Sequence, residues 1–219
     1  MAELTFSTSG TLGDCFITVC KLYRMAQNHN IKCNHYTVHR EWHDKIREIY
    51  SLLPSIEVNF VDERDEENPR VYSHFAEDDG IKAEQFPKFE LPKMPMPKSY
   101  IAVNEKSGKS YEEDRIIPPS EIEKICDAHK QPVVLLGSAT SVDHNHPFVF
   151  DMTEQTTIKE AFSIIRGADE FVGFQGLLSF FALSQKIPTT IYCRNDADIR
   201  SVEVRIQPSW RLYLKEIIA

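Results

Sequence analysis

Short apolar runs alternate with amphipathic stretches along most of the chain. Runs rich in β-branched and aromatic side chains predict strands, and stretches with apolar residues three or four positions apart predict helices. Strands are predicted at residues 4–7, 31–38, 56–61, 100–103, 132–136, 148–150, 171–174 and 189–193. Helices are predicted at residues 15–28, 42–53, 118–129, 158–166, 177–184 and 209–218. Such alternation is typical of parallel sheets covered by helices on both faces.

A proline-rich segment divides this pattern into two similar series. Four prolines fall between residues 86 and 97 without any apolar periodicity, which is typical of an extended linker. We therefore predict an α/β fold with two Rossmann-like lobes, residues 1–97 and residues 98–219, facing each other across a cleft. Ligands of such folds bind at the carboxyl ends of the strands.

Composition bears on which kinds of partner the protein can bind and on the cellular compartment in which we expect it. The 219 residues are 42% hydrophobic and carry a net charge of −8, which argues against a nucleic-acid partner but permits an anionic small ligand. The five cysteines are odd in number and show no Cys-x-x-Cys spacing, so we expect reduced thiols. We find neither a signal-peptide pattern nor an apolar run of membrane length. A cytoplasmic protein with at most peripheral membrane association is expected.

The clearest candidate ligand site is the turn that joins the strand at residues 171–174 to the next helix. Its residues are Gln175, Gly176, Leu177, Leu178 and Ser179. A glycine turn at a helix start presents backbone N–H groups and the positive end of the helix dipole, which together suit a phosphate. A buried strand–helix turn without any ligand has the same pattern, so both interpretations stay open.

A second strand–glycine loop–helix unit opens the chain. Its loop residues are Gly10, Thr11, Leu12, Gly13 and Asp14. The loop is not a P-loop, because no Gly-Lys-Ser/Thr follows, and it lacks the third glycine of a dinucleotide fingerprint. Asp14 is the last residue of this loop, and Asp commonly serves as the N-cap directly before a helix.

Several residues of the second half are further candidates for contact with a nucleotide. Arg115 can stabilise the charge of a diphosphate, although a solvated loop arginine beside three acidic residues is the alternative. Lys106 and Lys109 are weaker candidates for the same role. Ser138 and Thr140 follow a glycine at a strand end and can touch a nucleotide, or serve as ordinary loop hydroxyls.

Metal signals in the sequence are poor. His39 and His43 are four residues apart, but the order of a His-Glu-x-x-His site is absent. The segment 196–198 has the Asp-x-Asp order of metal-dependent sugar transferases, yet it lies near the end of the sequence. We therefore expect no metal and no cofactor.

The loop at residues 9–14 resembles the Gly-x-Leu-Gly-Asp loop of the ADP-heptose:lipopolysaccharide heptosyltransferases, the family-nine glycosyltransferases of GT-B fold. Residues 115–118 are similar to the family's basic–aromatic–Pro element, and residues 133–138 to its strand–glycine turn. Residues 165–188 resemble its Ala-Asp, Phe-Val-Gly, acidic-Thr-Gly, helix and Pro pattern. The resemblance implies a nucleotide-diphosphate sugar as donor, a carbohydrate or glycolipid acceptor, and Asp14 as the general base. The chemistry fits that role, since a carboxylate at a cleft can be partly desolvated, and the helix N-cap is the alternative.

This chain departs from the family in its donor loop. Gln175, Leu177 and Phe180 stand where the family has Asp, Gly and His, and no acidic residue directly follows Gly137. Specificity for heptose is therefore not implied. The expected function is metal-independent transfer of a sugar to a hydroxyl acceptor. A non-catalytic nucleotide-sugar-binding protein and a structural protein that keeps only the fold are the alternatives.

Overall fold

The computed structural model describes residues 2–73, 75, 81, 84–106, 116–138, 146–193 and 195–218. The chain forms two compact units. The first comprises Met1–Glu90 and Glu203–Ser209, and the second comprises Leu91–Val202 and Trp210–Ala219. The lobe boundary at residue 97 and the cleft between the lobes stay predictions.

The first unit contains a parallel sheet of order β1-β2-β3. Its elements are β1 (Glu3–Ser9), α1 (Leu12–Ala26), β2 (Asn30–Tyr36), α2 (His43–Tyr50) and β3 (Ile56–Val61). Residues 15–22 of α1 are all buried, so the burial extends beyond the apolar face that the sequence predicts. All five cysteines of the chain are buried and unbridged, which agrees with the expected reduced thiols.

An extended segment lies on the other side of β1. The Ser7 amide donates to the Pro69 carbonyl oxygen, and the Val71 amide donates to the Ser7 carbonyl oxygen, each at 2.9 Å. The chain therefore adds β2 and β3 on one side of β1 and returns on the other side. The carboxyl end of β1 is consequently a topological switch point, the place where ligands bind in open α/β sheets.

The second unit contains a parallel sheet of order β6-β5-β4-β7-β8-β9. Its strands are β4 (Ile101–Asn104), β5 (Val133–Leu135), β6 (Val149–Asp151), β7 (Glu170–Phe174), β8 (Thr189–Tyr192) and β9 (Leu214–Ile218). Its helices are α3 (Pro119–His129), α4 (Ile158–Gly167), α5 (Leu177–Ser184) and α6 (Asp196–Arg205), of which the last three residues are grouped with the first unit.

The strand order places a second switch point between β4 and β7. β5 and β6 lie on one side of β4 and β7 on the other, so the loops after β4 and β7 leave the sheet at the point where the order reverses. Ile101, Ala102 and Val103 of β4 are completely buried, as expected for a central strand covered on both faces. The predicted α/β architecture with parallel sheets is confirmed.

The capping box predicted for α4 is also present. The Glu160 amide donates to Thr157 Oγ1 at 3.2 Å, and the Thr157 amide donates to Glu160 Oε2 at 2.8 Å. The hydrogen bond from the Thr157 backbone, followed by one from the Thr157 side chain, lowers the pKa of the Glu160 carboxyl. Phe162 of α4 stacks on Phe181 of α5 with ring centroids 3.8 Å apart, which joins the two helices.

The helix predicted at residues 209–218 is wrong. A 3₁₀ helix (Pro208–Tyr213) leads instead into β9, which pairs with β8. Trp210 of the 3₁₀ helix is completely buried, and the Cys193 amide donates to the Ile218 carbonyl oxygen at 2.7 Å. The open edge of β8 thus gives this segment backbone partners that its local sequence does not reveal.

No helix in the described part of the chain is both long enough and apolar enough to cross a bilayer.

Candidate functional site

The loop after β1 begins with a glycine in a conformation that other residues rarely adopt. Gly10 has a φ of 118°, and its amide donates to the Tyr36 carbonyl oxygen at 3.3 Å. Thr11 is the N-cap of α1, so the helix begins at Leu12, three residues before the predicted start. All five predicted residues of this loop therefore lie together at the switch point of the first sheet.

Asp14 is not the N-cap of α1, because it occupies the third helical position. Its Oδ2 accepts hydrogen bonds from the Thr11 amide at 2.8 Å and from the Thr11 hydroxyl at 3.0 Å. The carboxylate thus reaches back to the N-cap residue, as in a capping box. Asp14 therefore supports the start of α1, but it does so from the third helical position and not from the predicted N-cap position.

The other oxygen of Asp14 faces an arginine from the far end of the sequence. Arg205 Nε lies 3.4 Å from Asp14 Oδ1. The Asp14 side chain is 13% exposed and the Arg205 side chain 23% exposed, so the ion pair is largely shielded from water. Among the described residues, two donors lie on Oδ2 and one on Oδ1, so Oδ1 is the oxygen that keeps an acceptor position. No local pattern of the sequence links residues that are 191 positions apart, so Arg205 could not be predicted from it.

A buried polar cluster lies beneath this loop and is centred on His35. The Thr8 hydroxyl is 3.0 Å and the Tyr50 hydroxyl 3.4 Å from His35 Nδ1, while Cys15 Sγ is 3.7 Å from Nε2. Burial lowers the pKa of His35 to about 4, although a hydrogen bond with the Gly10 backbone opposes the shift. His35 is therefore neutral at neutral pH.

Cys15 is a buried thiol and does not have the surroundings of a nucleophile. Burial, followed by the charge of Asp14, raises its pKa well above the ordinary value. The sequence contained a signal for the cluster, because Ile31, Cys33 and His35 alternate along β2 and so share one face. A histidine on that inward face predicts a buried polar contact.

Replacing Gly10 with Ala should destabilise the first unit by about 1–3 kcal/mol, the usual strain of an unfavourable backbone conformation. A Cβ at this position would lie 2.5 Å from Asp14 Oδ2, so the carboxylate must also move. Urea unfolding of Gly10→Ala measures the cost, and Ser9→Ala, one residue earlier, is the matched control. Equal stability of the two variants would show that the loop relaxes without strain.

The turn after β7 in the second unit is closed by its own serine. Ser179 Oγ accepts from the Gly176 amide and donates to the Gly176 carbonyl oxygen, both at 3.0 Å. Ser179 is completely buried, whereas Leu177 and Leu178 are half-buried. The Gly176 amide is therefore engaged inside the turn. Leu177 and Leu178 lie in the first turn of α5, where amides have no partner within the helix.

Asn104, the last residue of β4, joins the loops after β4 and β5. Its Nδ2 donates to the carbonyl oxygens of Lys106 at 2.9 Å and Leu136 at 3.0 Å. Gly137 has a φ of 94°, and a Cβ there would lie 2.5 Å from Asn104 Nδ2 and 3.8 Å from Leu178 Cδ1. The second switch point is thus tightly packed. Asn104 was missed, although a polar residue that ends an apolar strand is a usable signal.

Ser138 and Gln175, two further predicted residues of the second half, follow the ends of β5 and β7 in sequence. Ser138 directly follows Gly137 and is half-buried. Gln175 Nε2 donates to Ser201 Oγ at 2.8 Å, so its amide is held at one end of the turn. Arg115, with Lys109 and Thr140, lies outside the described residues.

The candidate metal-binding residues do not lie together. His39 stacks on Trp42 with ring centroids 4.1 Å apart, and His43 stacks on Phe60 at 3.6 Å. The Asp-x-Asp segment lies in the first turn of α6. Within the described ranges, no group of three or more His, Cys, Asp or Glu side chains is arranged to hold a metal ion.

Two surface hollows lie elsewhere in the molecule. One of about 480 Å³ is lined by residues 94–97 and 149–152 of the second unit. The other, of about 720 Å³, is polar and is lined by residues of the β3 end of the first unit. Neither is lined by a predicted site residue.

No protein-family model and no curated protein matches the sequence. The fold, in contrast, is similar to several solved glycosyltransferases. The iron-containing dodecameric glycosyltransferase TibC of enterotoxigenic E. coli matches with a TM-score of 0.57 and 16% identity, over 87% of this chain and 57% of TibC. A family 9 glycosyl transferase of Veillonella parvula matches with a TM-score of 0.59 and 9% identity, over 87% of this chain and 80% of its own length.

The structure of the E. coli heptosyltransferase WaaC with ADP is similar over the whole chain. It matches with a TM-score of 0.57 and 10% identity, over 100% of this chain and 93% of WaaC. The protein spans little more than half of TibC, at 57% of its length. At these identities the likeness concerns the fold, and the predicted resemblance to the heptosyltransferase fold is confirmed.

Proposed function

We propose that this protein transfers a sugar from a nucleotide-diphosphate donor to a hydroxyl group of a carbohydrate or glycolipid acceptor, without a metal. The observation that carries the proposal is the position of the two glycine loops. Each lies at the switch point of a parallel sheet, in a chain whose fold also occurs in solved glycosyltransferases. The buried, unbridged cysteines support a reducing, cytoplasmic setting.

The donor diphosphate is assigned to the turn after β7. The amides of Leu177 and Leu178 and the positive end of α5 can stabilise the charge that grows on the leaving phosphate oxygen. Gln175, Gly176 and Ser138 contribute to the same switch point. Arg115 stays a candidate for the diphosphate.

The acceptor hydroxyl is assigned to the loop after β1. Asp14 Oδ1 takes the proton of the hydroxyl while the hydroxyl oxygen bonds to the anomeric carbon. The bond from the anomeric carbon to the phosphate oxygen breaks, and its electron pair leaves with the nucleoside diphosphate. A carboxylate that is 13% exposed is suited to this role because it is held rigidly and partly desolvated.

A non-catalytic nucleotide-sugar-binding protein is the second candidate. It is favoured by the internal contacts of Asp14 with Thr11 and Arg205, which give the carboxylate a structural purpose. Assays of sugar transfer and of donor hydrolysis separate the two functions. Activity that persists after treatment with a chelator would support metal independence, which matters because TibC is described as iron-containing.

Replacing Gly176 with Val should weaken the binding of a nucleoside diphosphate about tenfold or more, because a branched side chain obstructs the close approach of a phosphate to the turn. Thermal unfolding with ADP and UDP measures the effect. Ligand at 100 times its dissociation constant stabilises a protein by about 2.7 kcal/mol. Leu212→Val is the matched control, since Leu212 is 82% exposed in the same unit. If Gly176→Val binds the nucleotide as tightly as the wild type, the turn after β7 is not the binding site.

A further inference from the structure

Arg205 is the last residue of α6 and belongs to the segment that is grouped with the first unit. Its Nε lies 3.4 Å from Asp14 Oδ1, although the two residues are 191 positions apart in the sequence. The pair is largely shielded, with side chains 23% and 13% exposed. A surface ion pair contributes little, whereas a shielded pair between such distant segments constrains the position of both side chains.

The hydrogen bonds of Asp14 distinguish its two oxygens. Thr11 places two donors on Oδ2, which uses the acceptor capacity of that oxygen. Oδ1 is therefore the oxygen that can accept a further proton, and it is the oxygen beside Arg205. A guanidinium is planar and permanently charged, so it orients a carboxylate without exchanging protons with it.

We infer that Arg205 is a positioning residue for the proton transfer to Asp14. The inference rests on the proposed function, in which Asp14 Oδ1 removes the proton of the acceptor hydroxyl. Thr11 anchors Oδ2, and Arg205 fixes the rotation of the carboxylate about that anchor, so the remaining lone pair of Oδ1 has a single direction. Arg205 itself gives up no proton and forms no bond in the reaction.

The kinetic test compares four variants of the full chain with the wild type. Arg205→Gln should lower kcat about 10–100-fold, because small misplacements of a reacting group are costly, and leave the KM for the donor near the wild-type value. Arg205→Lys should restore part of kcat, since it keeps the charge but not the planar fork. Arg200→Gln is the matched control, because Arg200 is exposed on the same helix. Added guanidinium at low millimolar concentration should rescue Arg205→Ala, with sodium chloride as the ionic-strength control.

A stability cycle tests the contact independently of activity. Asp14→Asn, Arg205→Gln and the double variant are unfolded in urea, and the effects should be non-additive by about threefold or more in the unfolding equilibrium constant. Additive effects would overturn the inference whether or not the wild type transfers sugar. An Arg205→Gln protein with wild-type kcat would overturn it even if the effects are coupled. A wild type without transfer for any donor would instead overturn the proposed function, and the positioning role with it.

Discussion

Replacing Asp14 with Asn should lower the turnover of sugar transfer by about 10²–10⁴-fold, the usual contribution of a general base. Donor affinity should stay near the wild-type value, because the donor is assigned to the other unit. Asn has a similar size, but its amide does not accept the proton of the acceptor hydroxyl. A loss of kcat with unchanged donor binding is the signature of an interaction made only in the transition state.

The structure also sets an expectation for the stability of this variant. The amide oxygen of Asn can still accept the Thr11 N–H, so the helix start is retained. The negative charge opposite Arg205 is lost, however, and the amide nitrogen would face the guanidinium. We expect Asp14→Asn to lose about 1–2 kcal/mol, and Asp14→Ala to lose at least as much because it also removes the contact with Thr11.

Paired measurements of melting temperature and transfer rate separate catalysis from helix capping. Asp44→Asn is a matched control, because Asp44 is an acidic residue in the first turn of α2 and is 97% exposed. It should be as active as the wild type. A folded Asp14→Asn protein with full activity would show that Asp14 serves only the helix and would favour the non-catalytic candidate.

The second large effect is expected from His35 as the pH falls. Its pKa is lowered to about 4 in the folded protein, from 6.5 in the unfolded chain. Between these values the unfolded state binds more protons than the folded state, so acidification favours unfolding. The stabilisation is fully present above pH 6.5 and is lost as the pH falls toward 4. It amounts to about 3 kcal/mol at about 1.4 kcal/mol per pH unit.

The cause of this shift is specific to the cluster beneath the loop. Burial of the ring is the largest contribution and lowers the pKa. The hydrogen bond with the Gly10 backbone and the charge of Asp14 raise it, and His43 lowers it. Because His35 contacts the backbone of the Gly10 loop, its protonation should disturb the position of Asp14 as well as the stability of the unit.

Urea unfolding of the wild type and of His35→Gln between pH 7 and pH 4 measures this contribution. Removing the imidazole should reduce the pH dependence by up to one proton, whatever the absolute stability of the variant. Identical pH profiles of His35→Gln and wild type would contradict a buried, neutral His35.

Local sequence was a good guide wherever the structure depends on near neighbours. The turn at Gln175-Gly176 and the α5 helix after it lie where the apolar run and the glycine predict them. Thr157 and Glu160 are three residues apart, so their capping box could be predicted from the sequence alone. The start of α1 was misplaced, because Thr11 and Asp14 form the same kind of box without the Glu that usually signals it.

Only the tertiary structure decided the contacts that complete the candidate site. Arg205 lies beside Asp14, and Asn104 joins the ends of two strands, because the fold brings together residues that are far apart in sequence. The final segment forms β9 because it pairs with the open edge of β8. This pairing outweighs any local helical preference.

The sequence by itself determined the alternation of strands and helices and the two glycine loops, because apolar period and glycine placement act over a few residues. The tertiary structure decided the strand order, and with it the switch points at which both loops lie. It also decided which hydrogen-bond donors lie beside each oxygen of Asp14, since Thr11 is a neighbour in sequence but Arg205 is a neighbour only in space. Pairing between distant segments depends on the packing of the whole unit, and no local pattern encodes it.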